Sequence, residues 1–207
     1  MRRAFTVLLL STLIGCSMLP AGRPHPVSHH VLAIPPATLA QPASAASRQS
    51  GAVLLVRDTE TPGVFQSVRL VYSRTPGALS YYQYARWSEM PARSLNTLLR
   101  QRLNASGLYS AAVPVGAGVQ ADYQLNTRLQ SFFHDAAPPP GVARVTLEAE
   151  LVSRRDARLI ARQVFQAEAT VASHDASGAA TGLGQASGRA LDELTAWLAR
   201  VQPVDAR

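Results

Sequence analysis

Lysine is absent from this 207-residue sequence: all 20 basic residues are arginine, set against 13 acidic ones. Arginine holds its proton to a pKa of about 12.5 or above while lysine releases it near about 10.4, so a modest positive excess yields the isoelectric point of 10.5. Beyond Arg57 the arginines are scattered, with only Arg154 and Arg155 adjacent. No basic run marks a nucleic-acid arm, and no nucleic-acid partner is expected. Cysteine occurs once, at Cys16, which excludes an internal disulfide. No apolar run approaches the roughly 20 residues a membrane-spanning helix needs. Gly-x-Ser-x-Gly, His-Glu-x-x-His and P-loop patterns are missing, and Gly182-Leu183-Gly184-Gln185-Ala186-Ser187-Gly188 misplaces the last glycine of a dinucleotide loop by one residue. Glycines loosening a helix start account for that segment better. His25, His29 and His30 lie close together but have no cysteine or carboxylate nearby to complete a metal site, so exposed or half-buried histidine is the simpler reading. We therefore expect no enzyme, no catalytic residue, no metal ligand and no cofactor.

What is present starts at the amino terminus. Met1-Arg2-Arg3 is followed by the apolar stretch Ala4 to Ile14 and by small Gly15, the three-part plan of an export signal. Loss of Arg2 and Arg3 with that leader leaves a net charge of +5. Cys16 falls directly after the apolar run, is the only thiol, and is followed by Pro20, Pro24 and Pro26, a composition suited to an extended spacer. The alternative is an ordinary cleaved signal in which Gly15-Cys16-Ser17 serves as a small-x-small cut site.

Further on, residues 16–50 read as a lead-in that carries a short first strand at His29 to Ile34 and a Pro/Ala-rich linker from Pro35, with a compact domain from Gly51 to Arg207. Ala52 to Val56 is a buried-strand run, and Ser67 to Tyr72 with Leu79 to Trp87 flank a Thr75-Pro76-Gly77 turn. Leu95, Leu98, Leu99 and Leu103 predict a helix over 89–106, capped by Ser88, with Pro91 in its first turn and Gly107 as its stop. Period-two alternation follows in Ala121 to Leu129, Val145 to Leu151 and Phe165 to Val171, with a charged hairpin at Arg154 to Arg158. Leu183, Leu191, Leu194, Trp197 and Leu198 predict a last helix. The class expected is α+β: a two-layer sandwich of a mostly antiparallel or mixed sheet and two main helices.

Tyr81-Tyr82-Gln83-Tyr84-Ala85-Arg86-Trp87 holds three of the six tyrosines and one of the two tryptophans. Two readings stand side by side. Aromatic and arginine side chains dominate binding hot spots, which makes Tyr82, Tyr84 and Arg86 candidate partner-binding residues. Aromatic residues also favour strands for packing alone. Trp87 is expected in the core and Tyr82 or Arg86 on the opposite strand face.

Leu13-Ile14-Gly15-Cys16 resembles a lipobox, with Ile14 where a small residue is more usual. Tyr84 to Pro91 ahead of a leucine-striped helix, Ala121-Asp122-Tyr123-Gln124-Leu125, Phe165 after Arg162, and Trp197-Leu198 together resemble the ABC-type transport auxiliary lipoproteins, the PqiC-like group, over most of 31–201. The long Pro/Ala loop and the His29-His30 pair depart from the family pattern. The resemblance implies cleavage at Gly15, lipidation of Cys16 and, from Ser17, sorting to the outer membrane. It further implies a non-enzymatic role beside a periplasmic MCE-domain protein and an inner-membrane ABC or related permease, with a homo-oligomer possible. A structural envelope lipoprotein and a periplasmic enzyme are the competing classes. Mass spectrometry of the mature amino terminus is expected to find acyl chains on Cys16, and an unmodified terminus would contradict this.

Overall fold

The computed structural model describes residues 26–35 and 51–201; Gly15, Cys16, His25 and most of the Pro/Ala-rich linker lie outside the described residues. The most regularly alternating segments form the longest strands: β6 (Tyr123–Asp135), β7 (Val142–Ser153) and β8 (Leu159–Thr170), an antiparallel meander. Val145, Leu147, Ala149 and Leu151 are buried while Glu148 and Glu150 point to the other face, as the two-residue pleat requires. One extra residue interrupts β6: Leu129 pairs with Leu147 but Ser131 with Thr146. Past that bulge the even-numbered Phe132 and His134 take the buried face.

The opposite edge of β6 is shared by two strands. β2 (Val53–Val56) runs parallel to its first residues and β3 (Arg69–Thr75) parallel to its last, through Tyr72 and His134. β4 (Ala78–Trp87) returns antiparallel on β3, β1 (Ser28–His30) lies parallel outside β4, and β5 (Ala111–Pro114) lies parallel outside β2. The product is one open, mixed, eight-stranded sheet. Helices α1 (Pro91–Ser106) and α2 (Ala176–Val201) cover one face and share a single core with it, which is the expected α+β arrangement.

Local chemistry sets the helix ends. Pro91 opens α1, where its missing N–H costs nothing, and Gly107 closes it at φ +66° in the left-handed region. Ser88 does not cap it: Met90 holds the N-cap position and no side chain caps the helix, while the Ser88 N–H donates to the His30 carbonyl and so joins the end of β4 to β1. α2 starts behind Asp175, whose carboxylate accepts the Gly178 N–H at 2.7 Å as an N-cap.

Two expectations need correction. The compact unit begins before Gly51, since residues 26–35 already belong to it. β1 ends at His30, and residues 31–35 then leave the sheet as a strap that crosses α2, with Leu32 buried beneath. Nor do the glycines of 182–188 loosen a helix start, for they lie in the interior of α2. A Cβ on Gly184 would stand 2.1 Å from the Ala33 carbonyl oxygen, and one on Gly188 3.3 Å from Pro35. The missing side chains let the strap lie against the helix. Alanine normally favours a helix interior over glycine by about 1 kcal/mol, but here the methyl would strike backbone. Gly184→Ala is therefore expected to lower the melting temperature, and a rise would contradict the close approach.

Candidate docking surface

β4 is not a straight strand. Arg69 pairs with Arg86 and Val71 with Tyr81, so Leu70 alone faces residues 82–85. Such an outward bulge leaves carbonyls without ladder partners, and the Arg86 guanidinium takes them up, donating to the carbonyls of Tyr82 and Ala85 at 2.9 Å and of Gln83 at 3.3 Å. Arg86 is half-buried and staples its own strand. Tyr82 turns inward, its ring 4.9 Å from that of Tyr72 and stacked on His134. Tyr84 turns outward at 44% exposure, and Leu79 and Tyr81 are exposed on the same strand, with the Arg69 guanidinium 4.4 Å above the Tyr81 ring. Trp87 is 1% exposed, packed on Phe132 and edge-on to His30, in the core as anticipated. Of the three candidate contacts, Tyr84 thus presents its side chain, while Tyr82 and Arg86 shape the strand from within.

A separate groove of about 800 Å³ lies between residues 58–66 and the first turns of α1. Phe65, Met90 and Ala92 form apolar wall, and Asp58, Glu60, Arg93 and Arg100 also line it; Glu60 pairs with Arg128 and Arg93 with Glu89. Nothing in the sequence pattern pointed to this groove, because residues 57–66 carry no periodicity. His29 is exposed and His30 packs on Trp87, and among the described residues no group of three His, Cys, Asp or Glu side chains is placed to hold a metal ion.

The chemistry missed by the sequence reading sits under Tyr82. His134 is fully buried, with Nδ1 2.7 Å from the Tyr82 hydroxyl and Nε2 2.9 Å from the Pro140 carbonyl. A carbonyl only accepts, so Nε2 carries the proton and Nδ1 accepts from the tyrosine. Burial lowers the His134 pKa from its ordinary 6.5, and the nearby His174 adds to this, while the Pro140 carbonyl, Asp135 and Asp175 oppose it. Burial likewise pushes Tyr82 up to about 12. The pair is neutral at pH 7.

These features define an α+β domain that exposes an aromatic strand and a charged groove beside a helix. The chain belongs to the family described as the ABC-type transport auxiliary lipoprotein component, which matches residues 32–195. Among solved structures, it resembles protein XCC0632 from Xanthomonas campestris at 23% identity and a TM-score of 0.75, over 84% of this chain and 96% of that one. An uncharacterized protein follows at 15% identity and 0.62, over 84% and 97%. The hypothetical protein CT253 from Chlamydia trachomatis has 10% identity and 0.53, over 73% and 98%. These likenesses show the fold. No curated protein matches the chain.

Because the folded-state pKa of His134 lies below the unfolded value of 6.5, the unfolded chain binds the proton first as pH falls. Stability is therefore expected to be full above about pH 6.5, to fall as the pH drops below it, and to level off beneath the folded-state pKa. Melting curves between pH 5 and 7.5 should show that slope in the wild type and a weaker one in His134→Gln; equal slopes would contradict the assignment.

Proposed function

We propose that the protein is a non-enzymatic, outer-membrane lipoprotein, anchored through Cys16 after cleavage behind Gly15, that docks the periplasmic lipid conduit of an ABC/MCE-type transport system. The family assignment over 32–195 carries this reading. The leader, Cys16 and Ser17 support the anchor and its membrane: each buried methylene contributes roughly 0.8 kcal/mol, and several acyl chains make the attachment durable. The partners are a periplasmic MCE-domain protein and, through it, an inner-membrane ABC or related permease.

The contact is assigned to Tyr84, with Leu79 and Tyr81 exposed on the same strand. An exposed tyrosine suits a hot spot, where Tyr, Trp and Arg are enriched. Tyr82 and Arg86 hold the bulge that presents Tyr84, so they contribute to docking through shape. Tyr84→Ala is expected to leave the melting temperature unchanged and to weaken capture of the MCE-domain protein by about 2 kcal/mol or more. Tyr82→Ala should lower the melting temperature first. Undiminished capture by Tyr84→Ala, or no capture by the wild type, would overturn the docking surface.

A further inference from the structure

Of the titratable side chains among the described residues, His134 alone is 0% exposed. The Tyr82 ring lies parallel to its ring, with the hydroxyl 2.7 Å from Nδ1. On the other side the Pro140 carbonyl stands 2.9 Å from Nε2, and a Cβ on Gly141 would strike that nitrogen. Backbone therefore closes the Gly141 side. The covers that a side-chain movement can lift are the half-buried Tyr82 and the exposed His174.

A proton on Nδ1 upsets this packing twice over. Nδ1 then donates, and the Tyr82 hydroxyl, which now donates to it, has to turn its own proton elsewhere. The imidazolium also lies buried with no counter-charge in contact, which is costly. Asp135 and Asp175 bear on it, but Asp135 is paired with Arg144, and Asp175 accepts from the Gly178 N–H and the Ser173 hydroxyl. His174, edge-on at 5.8 Å, opposes a second positive charge. From the remaining elements, Tyr72 and Arg74 of β3 bear on Tyr82, and His30 of β1 on Asp175.

The two sides of the ring differ in what holds them. The Pro140 carbonyl is shared, since His174 Nδ1 stands 3.2 Å from it, and the turn keeps a donor there when His134 departs. Two backbone bonds, from the Ala136 N–H to the Ser73 carbonyl and from the Val171 N–H to the Gly141 carbonyl, fix the same turn. Among the described residues the Tyr82 hydroxyl has no bond but that to His134. Relief of a buried charge therefore comes on the β4 side.

We propose that His134 is a proton-operated latch on Tyr82. With its ring neutral it holds the Tyr82 hydroxyl and seats that ring against β6; with its ring charged it releases Tyr82 to solvent, while the turn at Pro140 stays in place. The Arg86 guanidinium that staples the β4 bulge bonds the Tyr82 carbonyl, so release loosens the bulge as well. One consequence rests on the docking reading above: capture through Tyr84 weakens in mild acid.

Fluorine NMR of the full chain in detergent, with its tyrosines fluorinated, tests the latch between about pH 7.5 and about pH 5. The Tyr82 signal is identified by its loss in Tyr82→Phe, and broadening by a soluble gadolinium chelate reports exposure. Tyr82 is expected to lose its shielding as pH falls, with a midpoint below 6.5 that coincides with titration of the His134 ring carbon. Tyr109 and Tyr123, buried at the far end of the sheet, should stay shielded throughout. In His134→Gln the carboxamide makes both bonds without titrating, so Tyr82 should stay shielded to the lowest pH. A wild-type Tyr82 that stays shielded, a midpoint apart from that of His134, release that persists in His134→Gln, or exposure of Tyr109 and Tyr123 together with Tyr82 would each overturn the proposal. The coincidence of midpoints in the wild type decides the matter even if His134→Gln does not fold. Capture of the MCE-domain protein that stays constant while Tyr82 titrates would count against the Tyr84 surface and not against the latch.

Discussion

The guanidinium of Arg102, 8% exposed, holds three separate pieces of chain together. From α1 it donates to the Gly188 carbonyl of α2 and to the Asp192 carboxylate, both at 2.7 Å, and to the Pro35 carbonyl of the strap at 3.0 Å. A planar fork with several donors suits such a junction, where lysine would offer a single point of charge. The strap lies over glycines of α2 and leads back to β1, which pairs along Ser28 to His30 with the end of β4. His30 there packs on Trp87, and Trp87 on Phe132 of the central strand. One buried cation thus ties the amino-terminal segment to both helices and steadies the strand that carries the aromatic surface.

That arrangement has a functional consequence under the proposed reading. The described domain starts at residue 26, ten positions after the cysteine expected to carry lipid. β1, paired into the sheet at Ser28 to His30, fixes the docking surface at a short chain distance from that cysteine. Ten residues reach at most about 35 Å. The Tyr82–His134 pair stiffens the same surface from below by joining β4 to β6 and to the turn at Pro140.

Much of the fold was legible where burial imposes a period. The alternation of Val145 to Leu151 and the leucine stripe of α1 report directly which side meets the core, and both elements fall close to where the pattern put them. β5 was not legible, because Ala111-Ala112-Val113-Pro114 is too short to show a period. β1 was misjudged in length, because its end is set by Arg102 and by the approach to Gly184, contacts some 70 and 150 residues away in sequence. Nothing in the sequence distinguishes Arg102 from the other arginines. The surface followed the same logic. Trp87 is buried as a strand-end aromatic should be, but the assumption of a straight strand placed Tyr82 outward. The residues inserted opposite Leu70 reverse it, and their stabilising bonds come from Arg86 itself. The groove beside Met90 was invisible for want of any local signal in 57–66.

Amide hydrogen exchange on Arg102→Leu measures the dependence at its source. The account predicts that amides of the strap, and the Ser88 N–H held by the His30 carbonyl, lose protection in the variant while those between β6, β7 and β8 keep theirs. Wild-type protection throughout the strap and at Ser88 would contradict it.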